Sequence, residues 1–270
     1  MDNRVIGIFD SGLGGLTAVR QLRRIMPREH FVFFGDTARN PYGPRSKPEL
    51  TKFGRQNIAF LKTFNPKAII VACGTISANS LDIISTTADI PVLGVIEPAV
   101  KYAASKGEDK SVGVIATEAS IKSGTYERRL SESNKSLKIM TQACPAFVPL
   151  IESGHSNPGD TETEGYINEY LNKMKDNIDM LILGCTHYPL LSRSIENYLG
   201  DKVELIDVAA QCVNELHTYL KENDLEADAF SHAKDRYFVS GNSDSFAACA
   251  SDFLGEDITG KVEKVDITKY

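Results

Sequence analysis

Two short stretches share one design, and that design constrains the fold of this chain more than any bulk property. Ile69 to Asn79 reads IIVACGTISAN, an apolar run that ends on a cysteine and passes at once into small and hydroxyl residues. Met180 to Leu191 reads MLILGCTHYPLL, with its cysteine 112 positions after the first. Apolar runs this short, bounded by glycine, cysteine and threonine, read as buried strands. Buried strands without polar alternation belong to parallel sheets covered on both faces. Two of them ending alike suggest one site made from two halves.

The remaining chain supplies the elements such sheets need. Arg4 to Phe9 predicts a strand, Asp10-Ser11-Gly-Leu-Gly-Gly-Leu16 a glycine loop, and Leu16, Val19, Leu22 and Met26 a helix stopped by Pro27. The loop lacks the third glycine of a dinucleotide fingerprint, because Thr17 stands there, yet its N–H groups can converge on an anion. Strands follow at Phe31 to Phe34, Ala68 to Ala72 and Ile90 to Ile96, with helices over Lys47 to Phe64 and from Ser77. This alternation is the pattern of an α/β fold. From Ser111 it starts again: Val112 to Thr117 lies on Ile6 to Ser11, and the step from glycine to cysteine is 66 residues in the first half and 72 in the second. An internal duplication fits these matches. Asp10 meets Ala116 in that overlay, while Ser11 meets another hydroxyl, Thr117.

Further on, Met140 to Val148 is expected as a strand running into Pro149 and Glu152. A helix is expected around Glu164 to Met174 and another over Ala210 to Leu220, followed by a polar loop from Leu220 to Lys234. Tyr237 to Ser240, Phe246 to Leu254 and Val262 to Ile267 give strand, helix and strand. That tail is too short for a third domain and is expected to pack on one of the other two.

Composition excludes several partners. A net charge of −6 with scattered basic residues gives no footprint for nucleic acid, and no apolar run is long enough to span a membrane. Met1 to Phe9 lacks the parts of a secretory signal, so the expected location is cytoplasmic. Five cysteines, an odd and widely spaced set, are expected as reduced thiols. No C-x-x-C pair exists and Cys185-Thr186-His187 is not a zinc spacing, so no metal is expected.

In parallel α/β sheets ligands bind beyond the carboxyl ends of the strands. Asp10, Ser11, the Tyr42-Gly43 loop, Cys73, Thr117, Glu152 and Cys185 all fall at such ends. One thiol on each face of a tetrahedral carbon is what a racemase without cofactor requires, one sulfur removing a proton while the other delivers one. A cysteine of ordinary pKa, about 8.5, is mostly thiol at neutral pH, so the site must hold a thiolate and a thiol together. Asp10 and His187 are the nearby acid and base groups, and N–H groups at the helix starts can meet the developing enediolate charge. Plainer readings stand beside these. Asp10 serves equally as a helix cap, Tyr42 equally as structure, and Cys144, Cys212 and Cys249 as small buried residues. Glu152 alone reads as solvated, and His187 gains its interest from Cys185.

The motifs IGIFDSGLGGLTAVR, FFGDTARNPYGPRS, IIVACGTISAN, GVIEPAV, LILGCTHYPLL and IDVA run in order over nearly the whole chain. In this the sequence resembles the glutamate racemases of the aspartate/glutamate racemase superfamily. The resemblance implies two similar three-layer α/β/α domains with largely parallel sheets, pseudo-twofold related, with the active site between them. Residues 1–97 plus 207–270 would form the first domain and 98–206 the second. It implies racemization of glutamate for peptidoglycan synthesis without pyridoxal phosphate or metal, and a homodimer. Matched by position, Cys73 and Cys185 are the acid/base pair, supported by Asp10, Glu152 and His187. Ser11, Tyr42, Gly43, Gly74, Thr75, Thr117, Ser120 and Thr186 fall at substrate-contacting positions. The family usually has asparagine after the first cysteine, where this chain has Gly74, and threonine where it has Ser120. Three other functions compete: an aspartate racemase, a decarboxylase relative with one cysteine, and a non-catalytic sensor of acidic amino acids. Retention of both cysteines argues against the last two.

Overall fold

A computed structural model describes residues 1–228 and 233–270. Its strands are β1 (Ile6–Asp10), β2 (Phe31–Gly35), β3 (Ala68–Val71), β4 (Val92–Gly94), β5 (Ser111–Ala116), β6 (Lys138–Ala143), β7 (Met180–Leu183), β8 (Glu204–Asp207), β9 (Arg236–Val239) and β10 (Val262–Lys264). They form a six-stranded sheet of order β10-β9-β2-β1-β3-β4 and a four-stranded sheet of order β6-β5-β7-β8. Every pairing in both is parallel. The α/β class read from the sequence is what the chain adopts. β1, β2, β3 and β7 are buried from end to end, as continuous apolar runs in covered sheets must be.

The duplication is visible in register. The run β2-β1-β3-β4 of the first sheet has the same connectivity as β6-β5-β7-β8 of the second. Gly7 pairs with Ile69, four residues before Cys73, and Gly113 pairs with Leu181, four residues before Cys185. The unequal steps of the sequence therefore differ only in the connections. The tail joins the first sheet, β9 beside β2 and β10 beside β9.

One apolar cluster runs through both halves, taking in Ile6, Leu22, Val100, Val112, Ile182, Leu216 and Tyr237. Much of it lies where the helices Leu16–Ile25, Ile96–Ala104 and Val208–Glu222 pack together. A shared core of this kind resists independent motion of the halves, because opening it exposes apolar surface at about 25 cal/mol per Å². Separate clusters fill the outer side of each sheet.

Four expected elements differ in detail. The helix after Cys73 begins at Gly74 rather than Ser77, so Cys73 is its N-terminal flanking residue. β4 covers only Val92–Gly94, because the helix Ile96–Ala104 has already begun where the strand was expected to continue. The strand expected over Met140 to Val148 ends at Ala143, and Phe147–Glu152 is helical. Pro145 cannot donate to a strand ladder, which ends the pairing, while Pro149 sits in a first helical turn where its missing N–H costs little. The expected loop over 220–234 is partly helical to Glu222, and its residues 229–232 lie outside the described part.

Candidate active site

The carboxyl ends of β1, β3, β5, β6 and β7 converge on one cavity of about 350 Å³ between the sheets. The first half contributes Asp10 and Ser11 after β1, the Asn40 to Pro44 loop after β2, and Cys73, Gly74 and Thr75 after β3. From the second half come Thr117 and Glu118 after β5, Cys144 to Glu152 in part, and Cys185, Thr186 and His187 after β7. Both cysteines are free and buried, Cys73 4% and Cys185 7% exposed.

The two thiols meet different surroundings. Cys185 Sγ lies 3.7 Å from His187 Nδ1, and His187 Nε2 lies 3.1 Å from Glu152 Oε1. Asn40 in turn donates to Glu152 Oε1 at 3.1 Å. Burial pulls the imidazole pKa down, but Cys185, Glu152 and Asp10 together outweigh it and push the value up to about 10. His187 is therefore a cation at neutral pH. Burial would raise the Glu152 pKa, but the hydrogen bond and charge of His187 and the Asn40 contact hold it below the usual carboxylate value.

At the other end no cation among the described residues adjoins the sulfur. Burial first, and then the Asp10 carboxylate, push the Cys73 pKa far up, against the N–H groups of Ile76 and Thr75. Cys73 is thus a thiol at neutral pH. Asp10 is 1% exposed, and its Oδ2 accepts the N–H groups of Gly12 at 3.2 Å and Gly15 at 3.0 Å. Burial raises its pKa, opposed by the charge of His187 and by those N–H groups. The carboxylate that holds the glycine loop is thus also the charge beside Cys73, and it is not the N-cap residue of the helix that follows.

Hydroxyls link the halves below the cavity. Thr75 Oγ1 lies 3.0 Å from Thr117 Oγ1, which lies 3.0 Å from Ser120 Oγ. Ser120 stands behind Thr117 and does not line the cavity. Tyr42 and Gly43 do, but the Tyr42 hydroxyl points away and donates to Asp36. That carboxylate also takes Arg39 and the Ser240 hydroxyl at 2.8 Å, so this polar network holds the loop. Thus Asp10, Ser11, Tyr42, Gly43, Cys73, Gly74, Thr75, Thr117, Glu152, Cys185, Thr186 and His187 share one cavity.

Reading the sequence missed Asn40, Cys144, Pro145, Val148 and Pro149, which also line it. Asn40 stands in the polar loop already singled out, directly before a proline. Cys144, Pro145 and Val148 fell inside an expected strand and Pro149 directly after it, so their place beyond the true strand end at Ala143 was hidden. Among the described residues no group of three or more His, Cys, Asp and Glu side chains is arranged to hold a metal ion. Nor is any described helix long and apolar enough to cross a membrane.

The chain is similar to known proteins over its whole length. The model of the Asp/Glu/hydantoin racemase family matches residues 17–216. A glutamate racemase of Streptococcus pneumoniae serotype 19F is 39% identical over 99% of this chain and 100% of its own. The crystal structure of glutamate racemase from Francisella tularensis in complex with D-glutamate superposes with a TM-score of 0.91 at 39% identity, covering 100% of both chains. A Bacillus anthracis glutamate racemase isoform gives 0.92 at 37% identity over 98% of each. With a family match over most of its length, and relatives similar from end to end, the chain belongs to the Asp/Glu/hydantoin racemase family.

Proposed function

We propose that this protein interconverts L- and D-glutamate by moving the α-proton between Cys73 and Cys185. The observation that carries this reading is the pair of buried thiols, one from each half, lining one cavity whose size lies at the small end of ligand pockets, roughly 300–1,000 Å³. A thiolate on one side takes the α-proton, the C–H electron pair enters the enediolate of the carboxylate, and the thiol opposite gives its S–H proton to the other face. The products are the enantiomer and a thiolate on the second sulfur, so the enzyme returns in the mirror state.

The surroundings support a division of labour. His187, held by Glu152, is the group in contact with the Cys185 sulfur, and Asp10 is the charged group that acts on Cys73. Ser11, Gly74, Thr75, Thr117 and Thr186, with the backbone of Tyr42 and Gly43, supply donors for the substrate carboxylates, while Ser120 orients Thr117. We assign the first domain to residues 1–97 plus 207–270 and the second to 98–206, which follows the division of the strands between the two sheets except at Asp207, the last residue of β8 in the second sheet. The biological reading that follows is supply of D-glutamate for peptidoglycan, in the cytoplasm, by a homodimer that needs no cofactor.

Glutamate is preferred over aspartate because the long, high-identity likenesses are to glutamate racemases. The test is incubation of the purified protein with each enantiomer of glutamate and aspartate in D2O, following circular dichroism and α-deuteration together. Two-base transfer predicts deuterium mainly in the inverted product at early times. Glutamate that keeps its rotation while aspartate loses it sinks the substrate assignment. Equal early deuteration of both enantiomers sinks the two-thiol route.

A further inference from the structure

Beside the cavity the two halves touch through glycines. A Cβ on Gly74 would fall closer than 3.0 Å to the carbonyl oxygen of Gly184, a separation real Cβ atoms do not show. That carbonyl cannot withdraw easily. The Gly184 N–H is bound to Ile115 at 2.7 Å, and the buried Tyr126 hydroxyl lies 3.5 Å from the carbonyl oxygen itself. Gly74 directly follows Cys73, and Gly184 directly precedes Cys185. A second contact joins the glycine loop of the first half to the segment after Cys185. A Cβ on Gly14 would meet the His187 ring, 2.7 Å from Cε1, and Thr186 Oγ1 at 2.7 Å.

From these contacts we infer that Gly74 and Gly14 are positioning residues for the proposed proton transfer, letting the halves close to the separation that two thiols need on one carbon. Neither has a side chain to offer the substrate. What each offers is the absence of a Cβ where backbone of one half lies against the reactive segment of the other. Bonds beside Gly74 hold this approach: Thr75 to Thr117 at 3.0 Å, Asn79 Nδ2 to the Ala119 carbonyl at 3.3 Å, and Thr125 Oγ1 to the Ala78 carbonyl at 2.8 Å. Any side chain at position 74 would meet the Gly184 carbonyl at this spacing, so the glycine goes with the close approach of the two segments.

The inference rests on the two-thiol reading, and its test separates the two. Gly74→Ala needs about 1 Å of retreat to restore contact distance, and a displacement of that size at reacting atoms costs on the order of 10²-fold in rate. Crystal structures of the parent and Gly74→Ala should therefore show the Cys73 to Cys185 sulfur separation larger by about 1 Å in the variant. Its kcat should fall about 10²-fold with KM within about threefold, a split that mere loss of folded protein does not give. Gly14→Ala should fall less, because a ring can yield where backbone cannot, and it carries the same measurements if Gly74→Ala does not fold. Gly165→Ala, where a Cβ meets open space, should keep the parent kcat. An unchanged sulfur separation or a parental kcat in both seam variants overturns the inference. If the parent itself fails to racemize glutamate while the separation still widens, the functional reading fails and the spacing role stands.

Discussion

The Cys73 and Cys185 ends of the cavity are built on the same frame and surrounded by opposite chemistry. In each, the residue four before the cysteine pairs with a glycine of the neighbouring strand, and the cysteine follows at the carboxyl end. Beside Cys185 stands an imidazolium backed by Glu152 and Asn40; beside Cys73 stand a carboxylate and the opening turn of a helix. The shared frame sets the positions of the two sulfurs, and the residues packed around each set the difference between their surroundings. The enantiomers have equal free energy, so kcat/KM must be the same in both directions whatever this asymmetry. The difference between the ends has to appear in kcat and KM taken separately.

Removing either sulfur is the largest break of the comparison. Cys73→Ala and Cys185→Ala should each lower racemization by about 10²–10⁴-fold, the range of a lost acid or base. The double variant should be little worse than either single one, since groups acting as a unit do not add. Polarimetry on the three proteins checks this, and a single variant near the parent rate removes that thiol from the mechanism.

Next in size are the charges. Glu152→Gln deletes a group that holds His187 in its cationic form, so the His187 pKa should fall from about 10, by about one pH unit. The alkaline limb of kcat should move to lower pH with it. The linkage has a definite sign: the His187 pKa is raised above its ordinary 6.5, so its contribution to stability is full below 6.5 and is lost as pH rises through about 10. Glu152→Gln should weaken that contribution within this window. Asp10→Asn acts on the other thiol and should change the ratio of the two kcat values in the opposite sense to Glu152→Gln. Full progress curves from each enantiomer give both ratios, and a shift in the same sense for both variants contradicts the division of roles between the ends.

The frame was far easier to read from the sequence than the charges. Apolar runs ending on Asp10, Cys73, Thr117 and Cys185 announce buried parallel strands, and burial is set by composition within a few residues. Contacts such as Glu152 to His187, or Asn40 to Glu152, join segments 35 and 112 residues apart. No local pattern specifies those, and Glu152 was further obscured because Met140 to Val148 read as one strand. The role of Gly74 was illegible for a related reason. What a missing Cβ makes room for is Gly184, in the other half.

A smaller effect concerns the loop that closes the first half's side of the cavity. Tyr42→Phe removes the donor to buried Asp36 and also the acceptor of Asn57 Nδ2 at 3.3 Å. Leaving such groups short of a partner costs about 1–3 kcal/mol. The melting midpoint should drop, and KM should rise more than kcat falls, because the loop's backbone and not its hydroxyl faces the cavity. A larger loss in kcat than in KM puts the hydroxyl in the chemistry.

The smallest expected effect tests whether the two ends share one folding unit. Gly165 is exposed in the helix Thr161–Leu171 of the second half, with open space where a Cβ would go. Gly165→Ala lowers the backbone entropy lost on folding and should stabilise by about 0.5–1 kcal/mol. Because one apolar cluster joins Ile6 and Leu22 to Val112 and Ile182, that gain should raise the midpoint of a single cooperative transition. Two calorimetric transitions, of which only one moves, would mean that the halves unfold separately. The shared helices would then align the two cysteines without binding their stabilities together.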